Sequence, residues 1–199
     1  MRARVWVGSV RLPFPVREPP TMSEAAPAAP TWPDDIYRAL KAADIRQVAH
    51  VPDAGHARLI KSCEADNNMQ TVTLTTEEEG VAMLCGAHLG GQRGVLLVQS
   101  SGVGNCINML SLPQTCRMPF MMIVTMRGEY GEFNPWQNAM GLATEAVLTA
   151  MHVTCYRCDR AEDVGPTVAN AARFTFEGGR PVAVLLSQRL IGAKAFVNE

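Results

Sequence analysis

"GVLLVQSSGVGN", residues 94–105, decides the fold. Its first half is continuously apolar from Val95 to Val98. A strand with one wet face alternates apolar and polar residues, so an unbroken run predicts a strand covered on both faces. The second half is small and polar, with Gly102 and Gly104 two residues apart. Beyond it "GNCINMLSL", 104–112, reads as a helix. Buried strand, tight glycine turn and helix make one unit of a parallel α/β sheet.

The same alternation continues in both directions. Upstream, "DDIYRALKAADI" is a short amphipathic helix opened by Asp34 and Asp35. "QVAHV", 47–51, is a strand that stops at Pro52, and "GHARLIKSCEAD" is a helix. "QTVTLTT", 70–76, is β-branched and strand-like. An apolar helix follows it behind Glu77, Glu78 and Glu79. Downstream, "PFMMIVTM", 119–126, "VTCYR" and "PVAVLLS", 181–187, are strands. Helices are predicted over 142–151 and over "RAEDVGPTVANAARFTFEGG". This pattern predicts a three-layer α/β/α fold with a mostly parallel sheet. Ligands of such sheets sit at the carboxyl ends of the strands. The loops to read are therefore "PDAGH", "TEEEG", "SSGVGN" and "RGEYGEFNPWQN".

Composition narrows the function. A chain of 199 residues, 47% hydrophobic and 19% charged, has the makings of one compact domain with a sizeable core. A net charge of −1 gives no electrostatic case for nucleic acid. No apolar run reaches the roughly 18–20 residues of a membrane helix. The six cysteines lack the spacing of a disulfide framework and sit in or near apolar runs, as in a reduced cytoplasmic protein. "CYRC", 155–158, is a single CxxC without the second pair that a structural zinc site wants, so no metal ligands are assigned. Residues 1–33 are set apart as a flexible N-terminal arm from a domain over 34–199. Their "EAAPAAPTWP" is Ala/Pro-rich, and they lack the apolar core of a secretory signal. Met22 offers a second start.

Each loop admits a structural and a chemical reading. "SSGVGN" fails as a dinucleotide fingerprint, because Ile107 stands where a third glycine belongs and no acid follows about 20 residues on. It remains a ligand-approach loop or a plain tight turn. Thr76 and Glu79 match a capping box, and acids in a first turn suit the helix dipole. That accounts for two of the three glutamates. The third is a candidate for proton work, since a carboxylate at a buried helix start is partly desolvated. Arg127 is either a clamp for an anionic substrate or the partner of Glu129 or Glu132. Asp53 and His56 follow the first strand, where an Asp can also serve only as a helix cap.

Together, "VPD" at 51–53, "EEEGVAMLCGAHLGG" at 77–91, "SSGVGN" at 100–105, "RGE" at 127–129 and "QNAMG" at 137–141 carry a resemblance. From about Asp34 to Leu190 the chain resembles the pyrimidine-binding domain of thiamine diphosphate enzymes. Within them it is similar to the sulfopyruvate decarboxylase alpha subunits and the phosphonopyruvate decarboxylases. The family places a glutamate nine residues before a glycine, and counting back from Gly86 gives Glu77. The resemblance implies that Glu77 hydrogen-bonds the N1′ atom of the cofactor's aminopyrimidine. It implies that Ser101, Gly102, Gly104 and Asn105 also face the cofactor, and that Asp53, His56, Arg127 and Gln137 face the substrate. Ser100, usually Asn in this branch, and Val103, often Pro, are departures.

The family holds the diphosphate and Mg²⁺ through a Gly-Asp-Gly motif, and none occurs in this sequence. The resemblance thus implies half an active site, completed by a separate beta subunit in a hetero-oligomer. The implied activity is decarboxylation of 3-sulfopyruvate or phosphonopyruvate. The alternatives are a non-catalytic module that keeps the fold and, more weakly, a doubly wound nucleotide binder.

Overall fold

The computed structural model describes residues 31–192. The proposed arm therefore lies almost wholly outside the described residues. Its boundary shifts, because α1, Trp32–Ala42, already includes Trp32 and Pro33, both buried.

Six strands form one sheet: β1 (Ile45–His50), β2 (Gln70–Thr73), β3 (Arg93–Gln99), β4 (Phe120–Thr125), β5 (Thr154–Cys158) and β6 (Pro181–Leu186). Their order is β2-β1-β3-β4-β6-β5, and every neighbouring pair is parallel. All residues of β4 and β6 are buried, and so are Val95 to Val98 of β3. The continuous apolar runs thus sit at the centre of the sheet. The edge strands β2 and β5 carry the thinner patterns, with Thr73 and Arg157 exposed.

One apolar layer packs α1, α2 (Ala57–Glu64) and α7 (Ala161–Phe176) against one face, around Ile36, Leu59, Ile123 and Val168. The other face is covered by α3 (Glu77–Leu89), α4 (Ser100–Cys106), α5 (Ser111–Thr115) and α6 (Trp136–Ala150), around Val81, Leu96, Val103 and Leu148. The chain leaves β1 towards β2 and leaves β3 towards β4, in opposite directions. The sheet has its topological switch between them, and a crevice forms there at the carboxyl ends.

Three local expectations change. "SSGVGN" is not a loop, because α4 starts at Ser100 directly after β3. The helix expected over 104–112 is two short ones, because Pro113 has no N–H to continue a helix and its ring would clash with the preceding turn. And α6 starts at Trp136 rather than 142. Asn134 Oδ1 accepts from the Trp136 amide at 3.2 Å, and Pro135 is preset for a helix start. A last short helix, α8 (Gln188–Ile191), was not foreseen.

Candidate active site

The three glutamates at the head of α3 divide their work. Glu79 reaches back to the Thr75 amide at 2.9 Å, one residue earlier than a capping box requires. Glu78 accepts from the Thr76 hydroxyl, which holds its carboxyl below the usual range. Glu77 takes no part in capping. Its Oε2 accepts from Asn105 Nδ2 of α4 at 2.8 Å, and no donor among the described residues reaches Oε1. The carboxylate lies on the backbone of Gly102, where a Cβ would stand 2.4 Å from Oε1 and 2.5 Å from Cδ. Only a residue without a Cβ allows this contact. The spare acid of the sequence and the first glycine of "SSGVGN" therefore meet across the switch point.

The other expected residues gather around the start of α4. The Arg127 amide donates to Ser100 Oγ at 3.0 Å, tying the loop after β4 to the end of β3. Asp53 Oδ2 accepts from Thr125 Oγ1 at 2.7 Å, and both border a cleft of about 90 Å³ with Gly55, Arg127 and Gly192. Gly104 faces Met140, 3.2 Å from its Sδ to the position of an added Cβ. Ser101 is half-buried on the same turn. Gln137, in the first turn of α6, has a buried Oε1 with no partner among the described residues. Gly141 closes the assembly: a Cβ there would lie 1.8 Å from the Arg127 carbonyl oxygen. That contact explains the glycine of "QNAMG".

Two of the residues expected to face the substrate have protein partners instead of open surroundings. His56 does not border the cleft. It is 1% exposed, and its Nε2 lies 3.1 Å from the carbonyl oxygen of Ile123, so it sits beneath the sheet end. Burial holds its imidazole below its ordinary pKa, which makes it a neutral core histidine. Arg127 adopts the ion-pair alternative. Its Nε and Nη2 both donate to Glu132 at 2.8 Å, while Nη1 reaches Gln99 Oε1 at 3.3 Å. Arg127 also borders the cleft beside Asp53, so the ion pair and the cleft share this side chain. Burial alone would raise the Glu132 carboxyl, but hydrogen bonds from Arg127 and the Asn134 and Gly128 amides overcome it and hold the group at about 2.

The sequence reading missed Ser100, Glu132 as a carboxylate within the site, and Gln188. Ser100 looked like a departure from the family, yet it anchors Arg127. Gln188 belongs to the unforeseen α8 and had no local signal. A larger cavity, about 660 Å³, lies between β5 and α7 beside Tyr156 and Phe174. It shares no residue with the Glu77 cluster. The cysteines of "CYRC" both lie on β5 and are free thiols. Among the described residues no helix is long and apolar enough to cross a membrane.

The fold is thus an all-parallel α/β domain with a carboxylate lodged against a glycine at its switch point. Comparison with known proteins gives the family. Residues 31–145 match the family described as thiamine pyrophosphate enzyme, N-terminal TPP binding domain, and the chain belongs to it. Among similar proteins, the sulfopyruvate decarboxylase subunit alpha of Methanocaldococcus jannaschii is 34% identical over 75% of this chain and 89% of its own length. That of Methanothermobacter thermautotrophicus is 33% identical over 76% of this chain and 92% of its own length. A phosphonopyruvate decarboxylase of Streptomyces viridochromogenes is 36% identical over 57% of this chain, which is only 29% of that protein. The 2-oxoglutarate:ferredoxin oxidoreductase of Magnetococcus marinus superposes with a TM-score of 0.67 over 80% of this chain and 29% of its own, at 14% identity. That likeness speaks for the α/β fold alone.

Proposed function

We propose that this chain is the alpha, pyrimidine-binding subunit of a two-subunit thiamine diphosphate-dependent 2-oxo acid decarboxylase. Its substrate is 3-sulfopyruvate or phosphonopyruvate, which it converts to CO₂ and an aldehyde. The observation that carries the reading is the Glu77 carboxylate, packed on Gly102, with one oxygen on Asn105 and the other without a donor. That geometry fits the cofactor. The oxygen left over suits a ring nitrogen that presents a proton, and Asn105 fixes the plane of the carboxylate.

When bound, thiamine diphosphate supplies the electron sink that decarboxylation of a 2-oxo acid needs. The chain's own residues supply position and proton control. Glu77 would share a proton with N1′ of the aminopyrimidine. Ser101, Gly102, Gly104 and Asn105 would form the wall against that ring, with Gly102 keeping the glutamate in reach. Asp53 and Gln137 would face the substrate, Asp53 oriented by Thr125. Metal and diphosphate would be held by a beta subunit, together forming a cytoplasmic hetero-oligomer. Two facts support that division of labour. The relatives matched over about nine tenths of their length are named as alpha subunits. The cleft beside Asp53, at about 90 Å³, is small for a 2-oxo acid that carries a sulfonate or phosphonate head, as expected of a site completed by a second subunit. Large apolar side chains stand exposed on two helices of one layer, as a partner surface would want: Leu89 on α3 is 75% exposed, and Trp136 and Leu142 on α6 are 83% and 74% exposed.

The test combines the chain with its candidate beta subunit, thiamine diphosphate and Mg²⁺, and measures CO₂ release from both oxo acids. Glu77→Gln in that mixture should lower kcat by at least about 100-fold, the scale of a lost acid–base contribution. Full activity of the variant would remove Glu77 from the catalytic role.

A further inference from the structure

The segment between β4 and α6 is long, polar and yet firmly held. The amides of Arg127, Gly128, Glu129, Tyr130 and Asn134 all end on side chains. Ser100 takes the first. Glu132 takes those of Gly128 at 3.2 Å and Asn134 at 3.0 Å. Gln188 Oε1 takes those of Glu129 at 3.0 Å and Tyr130 at 2.9 Å. Gln188 also joins the two halves, since its Nε2 donates to Glu132 Oε2 at 2.9 Å. With both Arg127 bonds, Glu132 accepts from five donors, and its side chain is only 3% exposed. Gln188 is 1% exposed. A surface ion pair would not be built this way. Each amide would otherwise bond to water, so the shape of the segment depends on two buried side chains from separate parts of the chain.

The segment has one evident role. It runs into Asn134 and Pro135, which start α6, and α6 presents Gln137 in its first turn. Gly128 lies against Gln137 itself, since a Cβ there would be 2.4 Å from the Gln137 carbonyl oxygen. The amide oxygen of Gln137 is one of several buried groups without a partner among the described residues, and the one that stands beside this segment.

We infer that Glu132, tied to α8 through Gln188, is the positioning residue of the substrate side of the site. It fixes the Arg127–Asn134 segment so that Gln137 is held ready for the oxo acid, and Arg127 serves as its internal counter-ion rather than as the substrate's anion clamp. This rests on the decarboxylase reading above. The rival role for Arg127 predicts the opposite sign in one experiment. Removing the Glu132 charge would free the guanidinium and improve binding of an acidic substrate, whereas on the positioning reading it worsens it.

The experiment uses Glu132→Gln and, in case that variant folds poorly, Gln188→Leu. Hydrogen–deuterium exchange on the full chain, resolved to single amides, reads the segment without any need for turnover. Exchange at Gly128 and Asn134 should rise at least tenfold in Glu132→Gln, and at Glu129 and Tyr130 in Gln188→Leu. In the complex with the beta subunit, KM for the acidic oxo acid should rise at least tenfold, while affinity for thiamine diphosphate changes less than twofold. Unchanged exchange overturns the inference, as does faster exchange with unchanged KM. A fall in KM for Glu132→Gln also overturns it and makes Arg127 the clamp. If the wild-type complex turns over neither oxo acid, the proposed function fails. The exchange result then decides by itself whether Glu132 and Gln188 hold the segment.

Discussion

Replacing Gly102 by Ala separates site geometry from stability. The new methyl carbon would stand 2.4 Å from Glu77 Oε1 and 2.6 Å from its Cγ. Non-bonded carbon contacts settle near about 3.5–4.0 Å, so something must move by roughly 1 Å. The backbone of α4 is fixed by the buried Val103 and Cys106, whereas the glutamate is a side chain at a helix start. Glu77 therefore gives way. Turning it off its rotamer costs about 0.5–1.5 kcal/mol, and losing the bond to Asn105 about 1.5–3 kcal/mol at most. Exchanging Gly for Ala inside a helix returns roughly 0.5–1 kcal/mol. The net cost is of order 1–4 kcal/mol, a fall in Tm of about 2–16 °C for a domain of this size. A displacement of about 1 Å at a catalytic group can cost on the order of 100-fold in rate. The variant should thus remain folded at 25 °C, with kcat in the assembled enzyme down by about 100-fold. Calorimetry and CO₂ release together check this. Full activity would show that the Glu77–Gly102 contact is irrelevant to catalysis. Activity lost only in proportion to folded protein would show that α4, not Glu77, had moved.

Further outcomes follow from the same contacts. Gly141→Ala puts a Cβ 1.8 Å from the Arg127 carbonyl oxygen, a backbone atom that cannot swing aside, and should cost at least about 2 kcal/mol in urea unfolding. Gly104→Ala meets only the flexible Met140 side chain, so its Tm should hold, and a selective loss of cofactor affinity would report contact with the ligand. The Glu132 carboxyl is held at about 2 against an ordinary 4.5, so its contribution is complete above pH 4.5 and disappears as pH falls towards 2. Urea unfolding over that range should show a shallower loss of stability in the double variant Arg127→Met with Glu132→Leu, and an unchanged slope would place the acid sensitivity elsewhere. Leu142→Glu, on an exposed face of α6, should leave the Tm of the isolated chain within about 2 °C yet weaken beta-subunit association in sedimentation; unaltered association would move the interface off α6.

The sequence by itself determined the layers. Strands buried on both faces must be continuously apolar, and the short runs "VLLV", "FMMIV" and "VAVLL", alternating with helical segments, predict such strands, so the parallel sheet was legible in the local pattern. That one of the three acids is spare to helix capping was legible too; the family resemblance, counted back from Gly86, points to Glu77, and Glu77 is the one that takes no part in capping. Tertiary structure decided the rest. Whether Arg127 meets a substrate or Glu132 depends on a fold of the 127–134 segment held by Gln188, which is 56 residues from Glu132. His56 reads as a loop residue in sequence but is buried beneath the sheet end, bonded to a strand 67 residues away. The glycines at 102 and 141 look like turn residues, yet both sit inside helices and are needed for what presses on them: a carboxylate on one, a carbonyl on the other. Local pattern encodes which face of an element is dry. It does not encode which distant polar group will arrive to satisfy a buried charge, because that is fixed only when the loops close over the strand ends.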